Sequence, residues 1–294
     1  TLLLFMGLML PTAVFAQVSD VKPAAAEMSM DSGSHRAKAN PWMIPPGKTG
    51  TLSSQFNFIM AEDVDLKFTD VVLWRIATRY SLAGVAELFA DAALIPKQTS
   101  TMDELVFQNA GVGIRVGLLE WLATALRVRG GSTIANTGAW GVAGLSFDAR
   151  TAIDDFVVFD MGLGAAGTGV AVENASSGLV EVMGSFQIVF QSPGIAAAWF
   201  GTELAIPVAD KSERELEMNP QNRFNVVVGG VVSFIDKWDI YAIYNFIDRG
   251  DSEDIRTTLP ILDGGFDQQQ LVVGLTYHFG EPTPEELDDY YDRP

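Results

Sequence analysis

From Thr49 to Gly280 the side chains alternate between apolar and polar with a period of two. Such alternation restricts a chain to strands whose two faces meet different surroundings. Val180 to Phe190 is the clearest stretch: Val180, Val182, Gly184, Phe186, Ile188 and Phe190 share one face, and Glu181, Met183, Ser185, Gln187 and Val189 the other. Phe224 to Phe234 repeats the pattern, with Phe224, Val226, Val228, Val232 and Phe234 opposite Asn225, Gly229 and Ser233. Val106, Val112, Ile114 and Val116 oppose Asn109, Gly111, Gly113 and Arg115; Val72, Trp74, Ile76 and Tyr80 oppose Arg75, Ala77 and Arg79.

About twelve such segments are predicted, within a range of 10–14: 51–60, 69–81, 84–95, 104–117, 120–129, 137–147, 155–170, 179–191, 195–208, 223–235, 237–248 and 268–280. Leu82 to Leu94 and Leu118 to Val128 are rich in Ala, Leu and Glu and also read as helices. The spacing leaves roughly 19 residues per strand plus connection, ample for the ~9–11 that a tilted strand needs to cross a bilayer. Tight connections near 81–84, 118–119, 148–154, 191–194 and 235–237 alternate with mostly longer polar stretches at 61–68, 96–103, 130–136, 171–178, 209–222 and 249–267. Short turns on one rim and long loops on the other predict an all-β, transmembrane, up-and-down antiparallel β-barrel over 49–280, its short turns and both termini periplasmic. Tyr80, Phe147, Phe190, Phe234 and Trp238 lie on the apolar face beside short turns, where a ring of membrane-interface aromatics belongs.

The ends read differently. Leu2 to Phe15 is an uncharged apolar run whose end, Val14-Phe15-Ala16, offers small residues at the two positions a signal peptidase reads, which makes 1–16 a secretory signal peptide. The run is shorter than the ~20 residues of a spanning helix. Residues 17–48, with Pro23, Pro41, Pro45 and Pro46, read as a flexible periplasmic linker, and 281–294, with six acidic residues against one basic, as an extended acidic periplasmic tail.

Composition removes several functions. The net charge of −18, from 19 basic and 37 acidic residues, argues against nucleic-acid binding. With no Cys and only His35 and His278, disulfides, thiolate chemistry and a multi-His metal centre are excluded. Gly162-Leu163-Gly164-Ala165-Ala166-Gly167 fits a dinucleotide-binding glycine pattern, but Thr168-Gly169-Val170-Ala171-Val172 makes a poor helix start, so these glycines read as strand packing or curvature positions. Serine hydrolysis needs a His base beside a Ser. The one His within 49–280, His278, falls at the periplasmic end of the last strand, so no enzyme and no cofactor are expected.

Leu271-Val272-Val273-Gly274-Leu275-Thr276-Tyr277-His278-Phe279, with Leu271, Val273, Leu275, Tyr277 and Phe279 on the apolar face, resembles the closing strand of Gram-negative outer-membrane β-barrel proteins of the porin-like kind. The resemblance implies that this strand, Tyr277 and Phe279 above all, is the signal read by the barrel-assembly machinery. It further implies a Gram-negative outer-membrane location, with the lipid bilayer and lipopolysaccharide as surroundings. The chain departs from that pattern in continuing past Phe279 through Gly280 into the tail.

If the apolar face meets lipid, Arg75, Arg79, Glu87, Asp91, Arg115, Asp160, Glu181, Glu203 and Asp239 line the lumen. The tight turn at 81–84 opposes Arg79 to Glu87 and Arg75 to Asp91, as ion pairs filling a narrow barrel or as a charged ladder along a pore. The loops around 209–222 and 249–267 are acidic, and an acidic mouth concentrates cations. The expected function is a passive channel for small cationic or neutral solutes. The alternative is a non-conducting envelope barrel with a structural or surface-interaction role.

Overall fold

The computed structural model describes residues 44, 47–60, 71–98, 106–132, 138–153, 156–172, 175–192, 195–211, 221–235, 237–249 and 267–280. Twelve strands run in chain order: β1 (Gly50–Met60), β2 (Val71–Leu82), β3 (Ala86–Gln98), β4 (Val106–Leu119), β5 (Leu122–Ser132), β6 (Gly138–Ala152), β7 (Val157–Val172), β8 (Ala175–Ser192), β9 (Ala196–Lys211), β10 (Arg223–Ile235), β11 (Trp238–Arg249) and β12 (Gln268–Phe279). Each pairs antiparallel with its chain neighbours, and β1 pairs with β12 from Gly50–Phe279 to Met60–Gln269, closing the cylinder. The two segments that also read as helices are strands β3 and β5, because closure gives each a partner on both sides.

Burial follows the alternation. In β11 every second residue is buried, from Asp239 to Arg249, and every intervening one is exposed. The buried set faces the lumen. The exposed set is apolar: Ile76, Val112, Leu126, Leu163, Phe186, Phe200, Val228 and Ile240 are each 38–62% exposed. Soluble monomers rarely expose apolar surface on this scale, and such a surface marks contact with a partner or a membrane.

Links of two to four residues join β2–β3, β4–β5, β6–β7, β8–β9 and β10–β11 on the rim where Gly50 and Phe279 also meet. Tyr80, Phe147, Phe190 and Trp238 stand exposed near this rim, with Tyr80 stacked toward Phe279 at 6.5 Å and Trp238 against Tyr277 at 4.9 Å. The side chain of Phe234 lies outside the described residues. Leu271, Val273 and Leu275 are exposed on the outer face of β12, and Tyr277 and Phe279 half-exposed.

Three expectations are corrected. The stretch 171–178 is not a long loop: β7 and β8 continue to Val172 and Ala175, which pair directly. β6 extends past residue 147 to Ala152, because Arg150 turns inward onto Asp160. Across the β2–β3 turn Arg79 opposes Phe89 and Arg75 opposes Ala93, two residues off the expected register. That turn places Ala83 and Gly84 at φ 50 and 65, the left-handed geometry of a tight hairpin.

The stretch read as a free linker contributes to the barrel near β1. Lys48 N–H donates to Ser81 O at 3.0 Å, and Ile44, 4% exposed, packs on the inward-facing Ala123 and beside Gly117. The signal peptide, the rest of the linker apart from Gly47, and the acidic tail lie outside the described residues.

Candidate functional site in the barrel lumen

All nine lumen positions predicted from parity face inward; eight meet an opposite charge, and Asp239 meets the imidazole of His278. Asp91 accepts from Arg75 at 2.9 Å and from Arg129 at 2.9 Å. Glu87 lies 3.6 Å from Arg79 and 3.3 Å from Arg115, whose Nε is 3.6 Å from Asp148. Arg150 grips Asp160 through two nitrogens, at 2.7 and 3.0 Å. Glu203 accepts from Arg223 at 2.8 Å, Glu181 from Arg249, and Asp239 pairs with His278 at 2.8 Å. The Arg79–Glu87 and Arg75–Asp91 pairs survive the register offset because their partners are diagonal neighbours within reach of a long side chain.

Sequence reasoning missed most of the guanidiniums. Arg127, Arg129, Arg150, Arg223 and Arg249 all occupy inward positions. Strand parity would have found Arg127 and Arg129 had β5 been read only as a strand; the other three sit at strand ends. Eight arginines and seven carboxylates (Glu87, Asp91, Asp148, Asp160, Glu181, Glu203 and Asp239) therefore line the described lumen. This wall is close to neutral. The acidic loops that suggested a cation preference lie mostly outside the described residues.

A second unforeseen feature is apolar. Val158, Val189, Ala197, Trp199, Val227, Val231, Tyr241, Ile243 and Val272 form one buried cluster inside β7–β12. Trp140, Val142, Ala166, Val170, Leu179, Met183 and Ala205 form another inside β6–β9. Three inward aromatic rings lie flat across the neighbouring strand, each over a glycine directly opposite: Trp199 over Gly229, Tyr241 over Gly274, and Phe89 over Gly113. A Cβ at those glycines would stand 2.2–2.4 Å from the ring, so only glycine permits the arrangement. Tyr241 Oη then reaches past β12 to donate to Gln55 Oε1 at 2.7 Å.

Both ends of the lumen hold buried polar groups, Glu87, Gln191, Asp239 and His278 near the short-turn rim among them, each at most 5% exposed. Toward the short-turn rim the side chains of Arg79, Arg115, Asp148 and Asp160 are 11–23% exposed. Toward the loop rim, Arg75, Asn109, Arg129, Glu181, Asn225, Asn245 and Gln268 all fall below a tenth. Toward the loop rim, both amide atoms of Asn245 and of Gln268, Asn225 Oδ1 and Asn109 Nδ2 find no partner among the described residues. Leaving such groups buried and unmatched costs about 1–3 kcal/mol each, whereas hydration relieves the cost. Among the described residues no group of His, Cys, Asp or Glu is arranged to hold a metal ion.

No protein-family model and no curated protein matches the chain. Among solved structures, the NanC porin aligns over 77% of this chain and 98% of its own, with 7% identity and a TM-score of 0.50. An outer membrane channel from Pseudomonas putida F1 aligns over 85% of this chain and all of its own, with 10% identity and a TM-score of 0.50. At such identities the likeness is one of fold: this chain has the closed antiparallel barrel of porin-type channels.

Proposed function

Taking the porin-type barrel as premise, we propose that the protein is a Gram-negative outer-membrane channel, a passive and narrow conduit for small polar solutes, with both ends of the barrel chain on the periplasmic side. The observation that carries this reading is the inversion of the barrel. Its exterior is apolar, while its interior holds fifteen formally charged Arg, Asp and Glu side chains and amides that the described residues leave unmatched. A soluble barrel has the opposite arrangement. Water entering the loop-side half meets hydrogen-bonding groups that the described residues leave unsatisfied, so hydration of the lumen is favourable there.

The location has a direct test. Val228 stands on the outer face between Phe200 and Tyr244 at mid-strand. Val228→Arg should destabilise the barrel refolded in lipid vesicles by about 2–4 kcal/mol, the cost of an arginine at the bilayer midplane. On a water-facing surface the same change stays within about 0.5 kcal/mol, and that result in vesicles would remove the membrane assignment.

Conduction is tested by planar-bilayer recording of the purified protein. Small, discrete conductance steps are expected, and Trp199→Ala, which deletes an indole from the lumen wall, should enlarge them. The second reading, a non-conducting envelope barrel, is favoured by one observation: the ion-paired and apolar packing of the lumen, buried toward both rims. Silent bilayers with wild type and Trp199→Ala alike would establish it.

A further inference from the structure

The lumen charges are unevenly shared around the wall. On β2–β5 five guanidiniums (Arg75, Arg79, Arg115, Arg127 and Arg129) face inward with two carboxylates, Glu87 and Asp91. On β6–β11 the balance is reversed, with Asp148, Asp160, Glu181, Glu203 and Asp239 against Arg150, Arg223 and Arg249. We propose that the β2–β5 wall is a binding site for small carboxylate anions crossing the lumen, a reading that rests on the channel assignment and names the solute class it selects.

Depth and rigidity support the site. Each carboxylate on this wall is shared by two arginines, and Glu87 is the deeper member of its group: its side chain is 1% exposed, against 11% for Arg79 and 16% for Arg115. At this group a solute in the lumen meets guanidinium N–H groups before it meets acid, whereas at Asp91, 8% exposed against 1% for Arg75 and 3% for Arg129, the acid is the more exposed member, so the site centres on Arg79, Arg115 and Arg127. The ring of Phe89, flat over Gly113, lies between Arg79 at 6.0 Å and Arg127 at 4.6 Å. Stacking on a fixed ring holds both guanidiniums in place. Binding then loses less side-chain entropy than it would with free arginines. A planar carboxylate matches the fork of a guanidinium, through two parallel charge-assisted hydrogen bonds. The site works against the protein's net charge of −18, which repels anions at long range but is screened within about a Debye length, ~8 Å at physiological salt.

The test uses the full barrel in planar bilayers under a potassium acetate gradient, reading the zero-current potential. Acetate-selective current is expected from wild type. Arg79→Gln with Arg127→Gln should cut the acetate-to-potassium permeability ratio about tenfold, the Coulomb effect of two charges roughly 6 Å from the path in water. Arg79→Lys with Arg127→Lys should largely retain it. Lys211→Gln, a charge change at an exposed position at the end of β9, should leave it unchanged. Potassium selectivity in wild type, or an equal shift from Lys211→Gln, would overturn the site. A second readout separates this claim from conduction itself: at matched ionic strength, acetate should raise the unfolding temperature of wild type but not of the double Gln variant. A silent barrel that shows this stabilisation keeps the anion site and loses the channel reading. A barrel that shows none loses the site.

Discussion

Asp91→Asn should be among the most damaging single substitutions in this barrel, lowering stability by about 3–5 kcal/mol. Asp91 is 8% exposed and is the shared acceptor of Arg75, 1% exposed, and Arg129, 3% exposed. The amide has nearly the volume of the carboxylate, so packing is preserved and only the charge is lost. Two guanidiniums then face each other in a wall that already carries more of them than acids. Urea unfolding of the barrel refolded into vesicles measures the change. Asp160→Asn gives the comparison: its side chain is 23% exposed and pairs with Arg150, so water takes up part of the loss and a smaller effect is expected. Equal effects at the two sites would mean that the buried ladder on β2–β5 is hydrated and that the depth argument for it is wrong.

Gly229→Ala should also be strongly destabilising, and here the sign is informative. In an open strand position alanine is favoured over glycine by about 0.5–1 kcal/mol. At Gly229 the added Cβ would lie 2.2 Å from Cζ2 of Trp199 and 2.3 Å from Cε2, so the indole must leave the wall. Overpacking of this kind costs about 1–3 kcal/mol. Gly167 and Gly184 lie on the same sheet, and a methyl added at either meets nothing within 4 Å, so Gly→Ala there should be neutral or stabilising. Adding Trp199→Ala to Gly229→Ala should cancel much of the clash, giving a coupling energy that neither substitution shows alone. Additive effects would separate the ring from the glycine and contradict the stacked geometry.

Much of the molecule is legible from period and spacing. Twelve strands, the face of each, most of the tight and long connections and the inward position of nine charged residues all follow from alternation, because a strand's period of two is local and survives in any sheet. The helix-like composition of 82–94 and 118–128 gives way to strand, since a closed sheet leaves no place for an unpaired segment. The β7–β8 connection looks like a long loop in sequence because its residues are mostly small and polar, so no alternation with large apolar side chains reveals the strand there.

What the tertiary structure alone decided is who meets whom. Glu181 and Arg249 stand on β8 and β11, with two strands between them, and Arg115 reaches Asp148 from β4 to β6. Tyr241 finds Gln55 across 186 positions of chain. These contacts depend on register and on the stagger with which the sheet closes, which are properties of the whole cylinder rather than of any window of sequence. The apolar patch inside β6–β12 escaped for the same reason. Val227, Val231, Tyr241 and Ile243 sit among residues that are also apolar, so alternation carries no signal there, and only closure shows which of the two oily faces turns inward.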